Sequence, residues 1–312
     1  MWEGVIAPQE RQPTPGSAYA VGRVEMGHSS DIARMPDASE GGLEIGELPD
    51  ALAHRDELDR QLSGRRPAVF LDYDGTLTPI VDRPEDAVIA SGMREVVRSL
   101  AERCPVCVVT GRDRTVVQAL MGIDDLIVAG SHGFDIWSPD RGGVEHQATS
   151  GFGPLLEQVQ ARLRSELDAI EGALIESKRH SVAVHYRLVR EPDGQRVRQL
   201  VEALVAEHRQ ELKLTPGKMV YEIQPRVDWD KGKAVVHLLG ALGLEGEDVM
   251  PLYLGDDVTD EDAFAALLGR GIGIFVGSAD DPEVAGRRTA ASYALRSMGD
   301  VQWFLETLAR GS

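Results

Sequence analysis

Four short apolar runs along this chain each end in a polar cluster, and that recurrence constrains the fold more than any other feature. Ala68-Val69-Phe70-Leu71 runs into Asp72, and Cys107-Val108-Val109 into Thr110. Leu126-Ile127-Val128-Ala129 runs into Gly130-Ser131-His132-Gly133, and Pro251-Leu252-Tyr253-Leu254 into Gly255-Asp256-Asp257. Continuous apolar runs of this kind are strands buried on both faces. Helical patterns over 93–100 and 112–120 separate them, which predicts an α/β fold with a Rossmann-like parallel sheet core. Ligands bind such sheets beyond the carboxyl ends of the strands, which is where each polar cluster falls.

The texture changes between about 146 and 225. Leu156, Val159, Leu163, Leu167 and Ile170 keep helical spacing on one apolar face. From Ser181 to Arg187 the pattern alternates, with Val182, Val184 and Tyr186 on one side and Ala183, His185 and Arg187 on the other. A second helix passes through Val197, Leu200, Val201, Leu204 and Val205. A second strand pair follows around Thr215-Pro216-Gly217, whose composition predicts the turn. Helix, hairpin, helix, hairpin describes a small α+β cap inserted into the core formed by 66–145 and 226–312. Residues 1–45 are rich in Gly, Pro, Ser and Ala without periodicity. They predict a loosely attached, largely disordered tail over 1–65, carrying one short helix near 50–63.

A chain of 312 residues with a formal net charge of −18 has no basic footprint for nucleic acid or acidic membranes. No stretch approaches the roughly 18 apolar residues of a membrane span. The first residues lack an apolar core for a secretion signal, so the cytoplasm is the expected location, and a monomer the expected state. Cys104 and Cys107 form a C-x-x-C, but positions three apart on a strand face opposite ways, and no second ligand pair follows.

In Asp72-Tyr73-Asp74-Gly75-Thr76, two carboxylates stand one residue apart where the chain leaves a strand. One can attack phosphorus as a nucleophile; the other can protonate the leaving oxygen and later deprotonate water. A carboxylate attacking a phosphate needs a dication between them, and oxygen ligands suit magnesium. Taken alone, the pentapeptide also fits an acidic turn at a strand end. Thr110 can donate its hydroxyl to a phosphoryl oxygen beside a helix N-terminus, or simply cap that helix. Lys231, at a helix start where its charge opposes the dipole, can neutralise Asp72 and the transferring oxygens. The acidic run from Asp256 to Asp262 reads as a metal site, or as a solvated cap on the next helix.

These four elements in order resemble the motifs of the haloacid dehalogenase-like phosphatases. Within them, Gly130-Ser131-His132-Gly133, Ala183-Val184-His185-Tyr186-Arg187, Gly217-Lys218 with Glu222, and 255–264 resemble the trehalose-6-phosphate phosphatases; the likeness covers about 66–308. It implies that Asp72 is nucleophile and metal ligand, and that Asp74 is acid/base and ligates magnesium through its main-chain carbonyl. Thr110 and Lys231 would hold the phosphoryl group, Asp256 would complete the protein ligands, and Asp257 would support them. Arg112, His132, Gly133, Arg187, Lys218 and Glu222 would bind a small sugar phosphate, trehalose 6-phosphate, in the last step of trehalose biosynthesis. Lys218 and Glu222 are expected on one strand face, as a sugar clamp or as an exposed ion pair. A phosphatase for sucrose or glucosylglycerol phosphate, a phosphomutase, and a non-catalytic sugar-phosphate sensor remain alternatives.

Overall fold

In the computed structural model, which describes residues 42–139, 142–145 and 151–311, the first element is a two-residue strand, β1 (Leu43–Glu44). It is followed by α1 (Arg55–Leu62), β2 (Arg66–Leu71), α2 (Ser91–Ala101), β3 (Val106–Val109), α3 (Arg114–Met121) and β4 (Ile127–Gly130). After β5 (Asp135–Ser138) and β6 (Gly142–Glu145) the chain builds a second layer. This comprises α4 (Gly153–Leu167), β7 (Leu174–Ser177), β8 (Val182–His185), α5 (Asp193–Glu207), β9 (Leu212–Gly217) and β10 (Val220–Pro225). It then returns through α6 (Lys231–Ala241), β11 (Val249–Gly255), α7 (Glu261–Leu267), β12 (Ile272–Val276), β13 (Arg288–Thr289), β14 (Tyr293–Leu295) and α8 (Met298–Arg310).

The main sheet has the order β14-β12-β11-β2-β3-β4-β5-β6. It is parallel from β14 to β4 and antiparallel at β5 and β6. Successive residues of each central strand enter opposite cores, which is why the runs read as continuously apolar. Val69 and Leu71 pack on one side with α2, α3 and α8; Ala68 and Phe70 pack on the other with α6 and α7. Val108 and Leu254 follow the first pair, Val109 and Tyr253 the second. Cys107 takes its place in β3 as one more buried apolar residue, and both cysteines are free thiols. Because β3 and β11 flank β2 on opposite sides, the chain connections diverge at its carboxyl end and open a crevice there.

The second layer is an antiparallel sheet of order β7-β8-β10-β9. Val182, Val184 and Ile223 pack beneath α4 and α5, whose Leu156, Val159, Leu163, Val197 and Val201 supply the facing surface. Alternation leaves Ala183, His185 and Glu222 on the other face.

Three expectations are corrected. Thr215-Pro216-Gly217 is the end of β9, not the turn; Gly217 pairs with Val220, so the reversal is Lys218-Met219, with Met219 at φ 59°. β9 is an edge strand, where a proline is tolerated because no neighbour needs its missing N–H. The helix after β3 begins at Arg114 with Asp113 at its N-cap, so Thr110 caps nothing. The segment 42–62 is not a loose tail. β1 pairs with β13, and Ile45, Leu48, Ala51 and Leu58 are buried in the main cores. The tail residues 1–41 lie outside the described residues. No helix among the described residues is long and apolar enough to cross a membrane.

Candidate active site

The carboxyl end of β2 delivers Asp72 into the crevice, 5% exposed. Lys231, the first residue of α6, places Nζ 2.9 Å from Asp72 Oδ1 and 2.7 Å from Asp260 Oδ1. Burial alone would weaken the Lys231 ammonium, but Asp260 and Asp72 hold its pKa well above the usual lysine range. An exposed lysine opposing a helix dipole is therefore not the situation here: the side chain is buried between two carboxylates. The tight turn after Asp72 needs Gly75, at φ 81°, because a Cβ there would lie 2.1 Å from Asp256 Oδ2.

Arg112 grips Asp74 through two bonds, Nε to Oδ2 and Nη2 to Oδ1, each 2.7 Å, and its Nη1 donates to the Pro84 carbonyl. Such a fork fixes the carboxylate's plane as well as its place. Thr110, wholly buried, lines the crevice at the end of β3, and its Oγ1 accepts from the Arg112 amide at 3.2 Å. Ser131 and His132 follow β4 at φ 50° and 57°, a conformation that non-glycine residues adopt at a cost. Bonds from the Ser131 amide to the Arg112 carbonyl and from the His132 amide to the Thr110 carbonyl offset it. The result turns the His132 ring into the crevice, with Nε2 3.0 Å from Glu222 Oε2.

The cap closes the crevice from the other side. Glu222, 7% exposed, also meets Lys178 Nζ at 3.2 Å and the Ser181 hydroxyl at 2.6 Å. Burial would raise its pKa, but the Lys178 ammonium and His132 override this and hold it well below the usual range. Lys218 projects from the β9–β10 turn and reaches Asp256 Oδ2 at 2.5 Å. Arg187 lines the crevice, its Nη2 donating to the Lys218 carbonyl at 2.9 Å.

Asp72, Asp256 and Asp260 bring oxygen atoms within 4.8 Å of one another, all buried. Asp260 is fully engaged. Its Oδ1 accepts from Lys231 and the Tyr253 hydroxyl, and its Oδ2 from the amides of Asp256 and Asp257. Asp256 differs, because its Oδ1 is buried with no protein partner. Burial, partly opposed by Lys218 and reinforced by Asp260, pushes its carboxyl up to about 7. A buried, unpartnered carboxylate oxygen facing a second carboxylate fits a hard cation held by Asp72 and Asp256. Seven Asp or Glu and five Lys or Arg side chains line the crevice, an excess of acidic groups that suits a cation.

Of the residues picked out in the sequence, Asp72, Asp74, Thr110, Arg112, His132, Arg187, Lys218, Glu222, Lys231, Asp256 and Asp257 all line this one crevice. Gly133 does not. At φ 92° it is packed so closely on α6 that a Cβ would lie 2.4 Å from that of Ala234, so it serves the seating of the His132 loop. Lys178 and Glu176 line the crevice without any advance signal, since nothing in Glu176-Ser177-Lys178 marks them before the β7–β8 hairpin folds over. Asp260 was visible only as one carboxylate in an acidic run.

A model of the trehalose-phosphatase family matches residues 70–298. Trehalose 6-phosphate phosphatase RA3 of Zea mays is 40% identical over 296 residues, covering 90% of this chain and 80% of its own. A trehalose-phosphate phosphatase of Mycobacterium tuberculosis is 42% identical over 272 residues, covering 86% of this chain and 68% of its own. Among solved structures, the C-terminal domain of C. albicans trehalose-6-phosphate phosphatase shares the fold, with a TM-score of 0.72 over 86% of this chain and 99% of that one, at 22% identity.

Proposed function

We propose that this chain, which belongs to the trehalose-phosphatase family, hydrolyses trehalose 6-phosphate to trehalose and inorganic phosphate. The observation that carries the reading is the seating of cap residues Lys218 and Glu222 in the same crevice as Asp72 and Lys231. A phosphate at Asp72 then lies under a roof of sugar-binding polarity.

Asp72 attacks phosphorus, forming an aspartyl phosphate and breaking the bond to the sugar oxygen. Asp74 gives that oxygen its proton, so the sugar leaves as the free alcohol. Water then attacks the aspartyl phosphate, Asp74 takes its proton, and phosphate and the Asp72 carboxylate are restored. Lys231 and the Thr110 hydroxyl stabilise the charge on the transferring oxygens. Arg112 keeps Asp74 aimed by its two-bond grip. Asp72, Asp256 and the Asp74 main-chain carbonyl would hold Mg2+, with Asp257 beside them. Bound there, the metal neutralises the repulsion between carboxylate and phosphate and polarises the phosphoryl group.

The test is phosphate release from a panel of sugar phosphates, with and without Mg2+. Metal-dependent release that favours trehalose 6-phosphate is the expected result. Preference for sucrose or glucosylglycerol phosphate would move the substrate, and no release from any ester would leave only a sugar-phosphate sensor.

A further inference from the structure

Asp113 occupies the N-cap of α3, yet its side chain caps nothing. An aspartate there ordinarily accepts from an amide in the first helical turn. Here both carboxylate oxygens accept instead from the main-chain amide of Arg179 in the cap, at 3.0 Å each, and Oδ1 also takes the Ser131 hydroxyl at 3.0 Å. Arg179 belongs to the tip of the β7–β8 hairpin, a turn closed by the Lys178 amide on the Ser181 carbonyl. The same tip sends Lys178 Nζ to the Gly111 carbonyl at 3.1 Å. Both Lys178 and Ser181 meanwhile hold Glu222. One turn of the cap thus touches the loop that carries Thr110 and the carboxylate at the sugar end. Arg179 Nη1 also lies 3.6 Å from Asp135, but that guanidinium is half exposed and the pair adds little.

We propose that Asp113 is a positioning residue that seats the β7–β8 tip on the phosphate-binding loop and so couples sugar recognition to cap closure. It is absent from the crevice lining, so it acts through Lys178 and Arg179 rather than on the substrate. Closure of this kind excludes water and completes the site only when a substrate engages both layers. A small aryl phosphate, which has no sugar for the cap to hold, gains nothing from the latch. The inference rests on the reading of the chain as a sugar-phosphate phosphatase.

The test compares wild type, Asp113→Ala and Asp113→Asn on trehalose 6-phosphate and p-nitrophenyl phosphate, together with amide exchange over 178–181. Loss of a charged acceptor should lower kcat/KM for the sugar ester of Asp113→Ala by about ten- to a hundredfold, mostly through KM. Its rate on the aryl ester should stay near wild type. Exchange at the hairpin tip should quicken while α5 is unchanged. Asp113→Asn keeps an acceptor oxygen for the Arg179 amide and should recover most of the loss. Equal losses on both esters would mean mere structural support, and unaltered exchange or no sugar-ester loss would likewise overturn the latch. A wild-type enzyme inert towards every sugar phosphate would overturn the substrate reading instead, leaving amide exchange to decide the latch alone.

Discussion

Replacing Lys218 by Ala should tighten magnesium binding even as it harms sugar recognition. The Lys218 ammonium sits 2.5 Å from Asp256 Oδ2, with side chains 13% and 2% exposed. A cation held by Asp72 and the free Oδ1 of Asp256 would sit on the same carboxylate as that ammonium, whose like charge opposes it. Two like charges a few Å apart in a partly buried site repel by some kcal/mol, so removing the ammonium should lower the Mg2+ dissociation constant about tenfold or more. Protonation works in the opposite direction. Asp256 already titrates near 7 with Lys218 beside it, and it rises further without that ammonium, so protons compete more strongly with metal at neutral pH. The measurement therefore belongs at a single alkaline pH, by calorimetric titration of Mg2+ into protein without substrate. Half-saturation of p-nitrophenyl phosphate hydrolysis by Mg2+ should shift the same way. An unchanged or weaker affinity at that pH would refute the idea that Lys218 holds the metal's carboxylate.

Asp72→Asn removes the proposed nucleophile with little change in volume and should abolish phosphate release; a tenth of the wild-type rate, with reversion to Asp excluded by mass, would sink the covalent route. The folded pKa of Glu222 lies below its unfolded value. Its contribution to stability is therefore complete above the ordinary carboxylate range and is lost as pH falls through it, towards the folded pKa. Urea midpoints of Glu222→Gln should accordingly fall less between pH 6 and 3 than those of wild type, and parallel curves would contradict this. Deleting 1–41 removes none of the described packing and should leave activity near normal, whereas deleting 1–62 strips Ile45, Leu48 and Leu58 from the cores. At about 1.5–3 kcal/mol for each such side chain, the longer deletion should cost about 5 kcal/mol or more in urea unfolding. Equal stability of the two truncations would show that the segment is dispensable.

What was legible in the sequence is what depends on near neighbours along the chain. Val69 and Phe70 announce a strand because each is buried on its own side of the sheet, and apolar continuity over four residues is a local fact. The three- and four-residue spacing of Leu156, Val159 and Leu163 is equally local, as is the placing of Asp72 and Asp74 beyond a strand end. Where local chemistry was ambiguous, reading it alone went astray. Thr215-Pro216-Gly217 has the composition of a turn, but the register with β10 pairs those residues and leaves the reversal to Lys218-Met219. The loose composition of the N-terminal region concealed Ile45 and Leu48, which are anchored by a core and by partners on β13 and at Arg296 that lie more than 240 positions away. Most of the site's electrostatics was decided by tertiary structure alone. Lys231 meets Asp72 across 159 residues, and Lys178 reaches Gly111 across 67. Asp260 becomes the hub for Lys231 and Tyr253, while Asp256 keeps the free oxygen, although the two are both simply aspartates in one acidic run. Sequence period and turn chemistry determine elements; which charges face one another depends on how the chain closes over long loops, and no local pattern encodes that.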